Sequence, residues 1–342
     1  MSTATESPES KRSSGSVAAL EPFAATNSSV AYTMLLGLIM LFGYANRPLW
    51  HTDLWDHVNY GRQILKAGQL PETEPLVPMA HGVPMVNPAW GSQVLLAATL
   101  DSRHLGLPAL QFGHGLLVVI ALAAIGVAVK HQSRSTMAGI VAMLAMLFVN
   151  WQQFLVIRPQ LVGVTFFSIV LAILATDQLR LQWVRWLLPL LFAVWANLHG
   201  SFSMGLTLMG VWLVGELVTA WRNTDSMAEV LRTEIVRRLL WLIPVCAAAA
   251  LLNPQGLDVY REILRIGGLQ NIQSMYEWAP LSLNMKQGQA AAIVCGLLVL
   301  TVVFGRQKMQ TPHVLALVFF GGLAVWSSRM LNWFAPLTGL AL

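Results

Sequence analysis

The sequence has little charge and almost no cysteine. Only 11% of its 342 residues are charged and 56% are hydrophobic, whereas roughly a quarter of a soluble domain is charged. A soluble core cannot absorb so many apolar side chains, so most of them must face lipid or one another. Cys246 and Cys295 both lie in apolar runs, which argues against a structural disulfide or a zinc site. The composition therefore excludes an ordinary soluble domain.

The sequence also lacks alternating strand patterns, zinc-ligand spacings, phosphate-binding glycine loops and serine elbows. Its net charge of +5 is not gathered into a basic cluster interleaved with aromatic residues, so we expect no nucleic-acid partner. The apolar runs are continuous and approach the ~20 residues that a spanning helix needs. Because continuous runs in lipid satisfy their backbone groups as helices, the predicted fold class is an all-α, polytopic transmembrane helix bundle.

Nine apolar runs predict the membrane spans, and a tenth run begins near the end of the sequence. The predicted spans are 30–49, 106–129, 136–153, 159–177, 185–198, 201–221, 238–252, 288–305 and 311–327. The tenth run, 333–342, is only ten residues long. It is either a short terminal helix or the start of a helix in a chain that continues beyond Leu342.

The basic residues predict the orientation of these spans. Residues 1–29 are rich in Ser, Thr and Glu, which predicts a disordered cytoplasmic tail followed by an anchor helix without a small-residue cleavage site. With that tail inside, each inner connection carries at least two cations, and the outer connections near 150–158, 198–201 and 328–333 carry one or none. This asymmetry predicts a multi-pass protein of the cell membrane with a cytoplasmic N-terminus. The inner cations are Lys130, Arg134, Arg180, Arg185, Arg222, Arg232, Arg237, Arg238, Arg306 and Lys308.

Two outer connections, 48–105 and 253–287, are long. In the first, Thr52 or Asp53 can cap a helix that stops at Gly68. The apolar residues of this helix, Leu54, Val58 and Leu65, share one face and would lie along the membrane surface.

The remainder of the first outer loop carries two prolines and then a second helix start. The segment Pro71–Pro75 must be non-helical, because proline disfavours helix on its N-terminal side. Asn87 followed by Pro88 predicts a cap and a first helical position for a short surface or re-entrant helix that ends near Leu100.

Distinctive polar residues fall at the outer ends of the predicted helices. Since a charge at the bilayer centre costs ~2.5–3.5 kcal/mol, several such groups at one level indicate a shared polar cavity. The alternative is that helix ends are polar because headgroups are wet. The candidates are Asp53, Asp56, His57, Arg158, Asn197, His199, Asn253, Glu277 and Arg329.

Asp53 and His57 are four residues apart, so they share a helix face, and Asp56 projects from a neighbouring face. A carboxylate there can take a proton from a hydroxyl, and Asp53 with His57 can help to hold a divalent ion. The alternative is a solvated interfacial helix whose first-turn carboxylate stabilises the helix dipole.

Arg158 is fixed at a helix start by Pro159, and Arg329 follows an apolar run. Guanidinium groups suit bidentate recognition of phosphate; the alternative is snorkelling to lipid headgroups. His199 lies between Asn197 and Gly200 at the junction of two helices. It is either a ligand-binding group or a hydrogen-bonded structural one.

These segments together resemble the polytopic GT-C-type glycosyltransferases. They resemble most an uncharacterised bacterial group related to the dolichyl-phosphate-mannose-type and lipid-A-sugar-transferring enzymes. Asp56 stands where that group usually has a second Trp, and Asn87-Pro88-Ala89-Trp90 stands where it often has His-Glu-Trp. The segments that carry the resemblance are His51-Thr52-Asp53-Leu54-Trp55-Asp56-His57, Arg158-Pro159-Gln160, Asn197-Leu198-His199-Gly200 and Asn253-Pro254-Gln255-Gly256.

The resemblance implies an inverting transfer of a sugar from a polyprenyl-phosphate donor to an acceptor at the outer face. It implies that Asp53 is the general base or a metal-site carboxylate, and that Arg158 or Arg329 holds the donor phosphate. Some relatives need a divalent metal and others do not. Two rival functions are a transporter or lipid flippase, for which Glu216 is the clearest mid-span charge, and a non-catalytic scaffold of envelope assembly.

Overall fold

The computed structural model describes residues 27–46, 53–224, 226–267, 275–304 and 309–341. Throughout this part of the chain the regular structure is helical, and the only β-type pairing described is an isolated bridge between Thr73 and Pro84. The all-α class is therefore confirmed. The predicted tail 1–29 lies outside the described residues except for its last three, which belong to the first helix. Thr52, Arg306 and Lys308 also lie outside the described residues.

The described residues form a series of α-helices. In chain order they are α1 (Asn27–Ala45), α2 (Asp53–Ala67), α3 (Trp90–Asp101), α4 (Gly106–Ser133), α5 (Thr136–Asn150), α6 (Gln160–Ala175), α7 (Gln182–Leu198), α8 (Phe202–Asn223), α9 (Met227–Arg232), α10 (Glu234–Ala250), α11 (Asp258–Gly267), α12 (Lys286–Phe304), α13 (Thr311–Trp326) and α14 (Leu331–Thr338).

Three of these helices, α4, α8 and α12, are long and apolar enough to cross a membrane. Shorter apolar helices are Met34–Ala45, Thr136–Asn150, Gln160–Ala175 and Thr311–Trp326. Each of the nine predicted spans coincides with a helix, but nine crossings are not confirmed. The reason is length: α5 has 15 residues, and at ~1.5 Å per residue such a helix is shorter than a hydrocarbon core of ~30 Å.

The helix termini sort into two ends of the bundle. We call one end of the bundle the site end: α6 begins there, and α7, α10 and α13 end there. We call the opposite end the basic end: α10 and α13 begin there, and α4, α6 and α8 end there. Contacts between termini establish this arrangement, because Asn253 after α10 reaches Ala196 in α7 and Gln132 in α4 reaches Ala175 in α6. The predicted inner cations that the structure describes belong to connections at the basic end.

The helix predicted at the start of the first long connection is confirmed, and two of the three residues on its predicted apolar face, Leu54 and Val58, are buried within the protein. It ends at Ala67, and Gly68 follows with a φ of 69°, a left-handed conformation that suits glycine. Leu65 is 51% exposed, whereas Ile64 is buried together with Leu54 and Val58. Leu54 and Val58 pack with Ala97 of α3 and with Ile157, and Leu65, which projects in nearly the same direction, lies in the last turn of α2. Contact of this face with a membrane surface stays a prediction.

The second helix of this loop begins later than predicted. Asn87 does not cap it; the helix starts at Trp90, with Ala89 as its N-cap residue. The Asn87 Oδ1 atom instead accepts a hydrogen bond from the Ala89 N–H at 3.2 Å, and Asn87 Nδ2 donates to Gln93 Oε1 at 2.6 Å. The Asn87 side chain therefore closes a turn before the helix. The Pro71–Pro75 segment is non-helical, as predicted.

The tenth apolar stretch is a short helix inside the bundle. Residues 331–340 are all buried. Trp333 packs on Phe167 of α6 with ring centroids 5.4 Å apart. At Gly339 an added Cβ would lie 2.9 Å from side-chain atoms of both Ala142 and Ile125. Its apolar residues therefore face other helices, so the segment forms part of the core that separates the two ends.

We expect Gly61→Ala to loosen the α2–α3 pair. The added Cβ would lie 2.0 Å from the Gln93 carbonyl oxygen and 2.8 Å from Ala97 Cβ, and overpacking of this kind costs ~1–3 kcal/mol. Thermal unfolding of the purified protein measures the effect. Gly113→Ala in α4 is the matched control, because nothing lies within 4 Å of its added Cβ. If Gly113→Ala lowered the unfolding temperature and Gly61→Ala did not, close packing at Gly61 would not be the cause.

Candidate functional site

Four charged side chains from separate parts of the chain meet at the site end. Asp53 Oδ2 lies 2.6 Å from Arg158 Nη2, and Arg158 Nη1 lies 2.9 Å from Glu277 Oε1. Arg329 Nη1 lies 3.3 Å from the other carboxylate oxygen of Glu277. We call Asp53, Arg158, Glu277 and Arg329 the ion-pair network. It contains two guanidinium groups and two carboxylates, so its formal charge is balanced.

Arg158 is the centre of the network and its most buried member. Its side chain is 11% exposed, compared with 37% for Asp53 and 38% for Glu277. Pro159 holds the start of α6, and the Arg158 carbonyl accepts the N–H of Leu161 at 3.1 Å. A buried guanidinium needs charged partners. Its partners remain open to solvent, so a ligand can reach them.

Glu277 is held in place by the junction between α13 and α14. It lies in a 3-10 turn, Tyr276–Trp278. The Ser328 hydroxyl donates to the Glu277 carbonyl at 2.9 Å, and the Ser328 N–H donates to the Ala279 carbonyl at 2.9 Å. The Arg329 guanidinium carbon lies 5.2 Å from the centre of the Trp278 ring, within cation–π range. The described part of the second long connection, 253–287, is therefore anchored beside Arg329.

His57 lies next to the network and is tied to α3. Its Nδ1 atom is 3.3 Å from Gln93 Nε2, and Gln93 Oε1 already accepts from Asn87. Gln93 therefore donates, which places the imidazole proton on Nε2. Burial lowers the pKa of His57, and the positive charge of Arg158 lowers it further, against the opposing effects of Asp53 and Asp56. His57 is thus a neutral N–H donor at neutral pH. Asp56 is exposed and lies outside the ion-pair network.

His199 is a second neutral imidazole beside the network. The Trp195 Nε1–H donates to Ser201 Oγ at 3.1 Å, and Ser201 Oγ lies 2.7 Å from His199 Nδ1. The Ser201 N–H also donates to Nδ1, at 3.1 Å, which leaves the proton on Nε2. Burial is the main cause that lowers the pKa of His199 to about 3, followed by the positive charge of Arg329.

Asn197 and Asn253 join helix ends and are not part of the network. Asn253 Nδ2 donates to the Ala196 carbonyl at 2.7 Å. Asn197 Nδ2 donates to the carbonyls of Ala193 at 2.8 Å and Leu252 at 3.3 Å. Carbonyls at helix C-termini lack partners within the helix, and these amides satisfy them. The structure thus places both residues in the junction of α7 and α10.

Sequence reasoning missed Gln93, Ser201 and Trp278, which position His57, His199 and Arg329. Gln93 is 3% exposed although it is polar. The sequence could have indicated Gln93, because a glutamine within an otherwise apolar helix needs a buried partner. Ser201 and Trp278 gave no such signal, because serine and tryptophan are ordinary residues at helix ends in membrane proteins.

The described residues contain no group of three or more His, Cys, Asp or Glu side chains that could hold a metal ion. Asp53 and His57 would supply two ligands, and Asp53 is engaged by Arg158. A divalent ion bound by these two residues would take its remaining oxygen ligands from water or from a bound phosphate.

The chain matches no family model, no curated protein and no solved structure. The geometry of the ion-pair network and the two neutral imidazoles is therefore the basis for assigning a function.

We expect the two histidines to make the fold less stable in acid. His199 is neutral in the folded state above pH 3, whereas an unfolded histidine binds a proton below its ordinary value of 6.5. The unfolded chain then holds more protons, so stability falls as pH decreases from 6.5 toward 3. Unfolding temperatures between pH 7.5 and pH 5 measure this. His199→Asn, whose Oδ1 can replace Nδ1 as the acceptor, should show a smaller decline than wild type, and the exposed His104→Asn should show the same decline. If wild type, His199→Asn and His104→Asn lost the same stability between pH 7.5 and pH 5, His199 would not be the cause of the decline.

Proposed function

We propose that the protein is a multi-pass membrane glycosyltransferase of the GT-C type, with its N-terminus in the cytoplasm and its site end at the outer face. It would move a sugar from a polyprenyl-phosphate donor to an acceptor hydroxyl. The supporting observation is the ion-pair network, which brings a solvent-accessible carboxylate, Asp53, to 2.6 Å from a buried guanidinium, Arg158. Lipid-linked donors suit a bundle with apolar helices and a polar site at one end.

The donor phosphate would exchange with carboxylates of the network. Arg158 and Arg329 offer guanidinium groups, which bind phosphate oxygens in the same bidentate manner as carboxylates. When the phosphate binds Arg158, it breaks the ion pair between Arg158 and Asp53. The Asp53 carboxylate can then accept a proton from the acceptor hydroxyl.

The acceptor oxygen forms a bond to the anomeric carbon while the bond from that carbon to the phosphate oxygen breaks. The acceptor proton moves to the Asp53 carboxylate, and the electron pair of the broken bond remains on the leaving phosphate. Arg158 and Arg329 would stabilise that growing charge. His57 and His199, each with its proton on Nε2, can donate to sugar or phosphate oxygens.

Metal dependence is a separate part of the proposal. Since Asp53 and His57 provide only two ligands, a divalent ion would have to take the rest from the phosphate and water, as Mg²⁺ commonly does. Loss of transfer in EDTA that Mg²⁺ or Mn²⁺ restores would show that transfer depends on a metal. Unchanged transfer in EDTA would show that it does not.

The direct test uses the purified protein in vesicles with a radiolabelled polyprenyl-phosphate sugar. Wild-type protein should consume the donor, and unlabelled polyprenyl phosphate should inhibit the reaction. If the protein neither binds nor consumes polyprenyl-phosphate donors, the proposal is overturned. Movement of the intact donor between leaflets without loss of its sugar would instead identify a flippase.

A further inference from the structure

A second polar space lies at the basic end, away from the ion-pair network. A cavity of about 1400 Å³ is lined there by residues from α4, α6, α8, α10, α12 and α13. Ordinary ligand pockets measure ~300–1,000 Å³, so the cavity has room for more than a small metabolite. On one side its wall consists of Leu297, Leu300, Thr301 and Phe304 of α12, and the three apolar residues are 50%, 51% and 78% exposed. The cavity is therefore mostly apolar on its α12 side.

One buried arginine that lines this cavity, Arg238, has an N–H donor without an acceptor in the described part of the chain. Arg238 is 8% exposed. Its Nη2 atom pairs with Glu234, one turn earlier in α10. Its Nε atom is buried and has no hydrogen-bond partner among the described residues. A buried N–H without an acceptor is costly, so this position favours a ligand that brings an acceptor oxygen.

The cavity carries both signs of charge. Arg134 lines it together with Arg238, and the carboxylates of Asp177 and Glu216 line it as well. Because Arg238 already pairs with Glu234, the remaining carboxylates outnumber the remaining guanidinium group. A ligand with only negative charges would be repelled by them. A ligand with one cationic and one anionic group matches the cavity.

The wall opposite α12 is already ordered. Gln132 Nε2 donates to the Ala175 carbonyl at 3.0 Å and lies 3.0 Å from His313 Nε2. The His313 ring packs edge-on against Trp212, with centroids 4.9 Å apart. These contacts link α4, α6, α8 and α13. The cavity therefore has fixed polar walls before any ligand enters, which reduces the entropy lost on binding.

We propose that this cavity binds the headgroup of a zwitterionic phospholipid of the phosphatidylethanolamine type. The phosphate would accept from Arg238 Nε and Arg134, and the ammonium group would lie against Glu216 and Asp177. The acyl chains would cover the apolar residues of α12. The site is independent of the proposed transfer reaction.

Native mass spectrometry of the full-length protein in detergent tests this proposal. The protein is titrated with dioleoyl phosphatidylethanolamine and, separately, with dioleoyl phosphatidylglycerol. We expect tighter binding of phosphatidylethanolamine. Arg238→Gln should weaken it by about tenfold or more, as loss of a charged hydrogen bond predicts. The matched control is Arg237→Gln, because Arg237 is the exposed neighbour in α10 and does not line the cavity.

A second variant keeps the test decisive if Arg238→Gln folds poorly. Glu216→Gln leaves the Arg238–Glu234 pair intact and should reduce the preference for phosphatidylethanolamine over phosphatidylglycerol. Equal binding of the two lipids by wild type would overturn the proposal, as would equal effects of the Arg237 and Arg238 variants. Comparable binding of glycerophosphoethanolamine, which has no acyl chains, would overturn the lipid assignment.

Discussion

Replacing Asp53 with Asn is expected to reduce sugar transfer by ~10²–10⁴-fold, the usual contribution of a general base. The amide cannot accept the proton of an acceptor hydroxyl. It can still accept a hydrogen bond from Arg158, which lies 2.6 Å from the carboxylate, so the protein should remain folded. Donor consumption in vesicles measures the loss, and circular dichroism with size-exclusion chromatography measures folding.

The chain offers a matched control for this variant. Asp101 also pairs with an arginine at 2.6 Å, but it does so at an exposed position on α3, with Arg62. Asp101→Asn removes one carboxylate from an exposed ion pair, which is worth ~0–1 kcal/mol, and should leave transfer unchanged. Asp53→Asn activity within a few-fold of wild type would remove Asp53 as the base. Normal cellular function in that variant would favour a scaffold.

Replacing Arg158 with Lys is expected to lower transfer by about 10–100-fold, which corresponds to the loss of one hydrogen bond to a charged group. Arg158 uses two nitrogens to reach two carboxylates, Nη2 for Asp53 and Nη1 for Glu277. A lysine keeps the charge but cannot present that planar fork. Since the leaving phosphate gains charge in the transition state, kcat should fall together with kcat/KM.

The control for this variant comes from the same exposed pair. Arg62 binds Asp101 through Nε at 2.8 Å and Nη2 at 2.6 Å and is 46% exposed. Arg62→Lys should change neither activity nor unfolding temperature, because exposed ion pairs contribute little. If Arg158→Lys raised only the KM for the acceptor and left donor use intact, the phosphate role of Arg158 would be wrong.

Local patterns predicted most of the helices but not which residues approach one another. The apolar runs predicted α4, α8 and α12, and Gly68 correctly marked the end of α2. The apolar face of α2 was predicted to lie along the membrane surface, but its Leu54 and Val58 pack with Ala97 of α3, where Gly61 allows α2 to approach Gln93 closely. Such a contact joins residues far apart in the sequence, so periodicity within α2 cannot reveal it.

In the candidate site, too, the sequence predicted which residues are present at helix ends but not what each one contacts. Asp53, Arg158, Glu277 and Arg329 were identified from their types and their positions at helix ends. Asn197 and Asn253 were chosen by the same reasoning, yet they bind helix carbonyls at the α7–α10 junction. A polar residue at a helix end can face a ligand or satisfy a neighbouring backbone, and only the packed neighbour decides between them.

The sequence by itself determined the all-α class, the positions of the apolar helices and the residues with the capacity for this chemistry. It did so because helix periodicity, apolar length and charge are local properties of the chain. The tertiary structure decided that Arg158 pairs with both Asp53 and Glu277, that residues 331–340 are buried in the bundle, and that a second cavity lies at the basic end. These features depend on distances between residues up to 200 or more positions apart in the sequence, which packing alone sets.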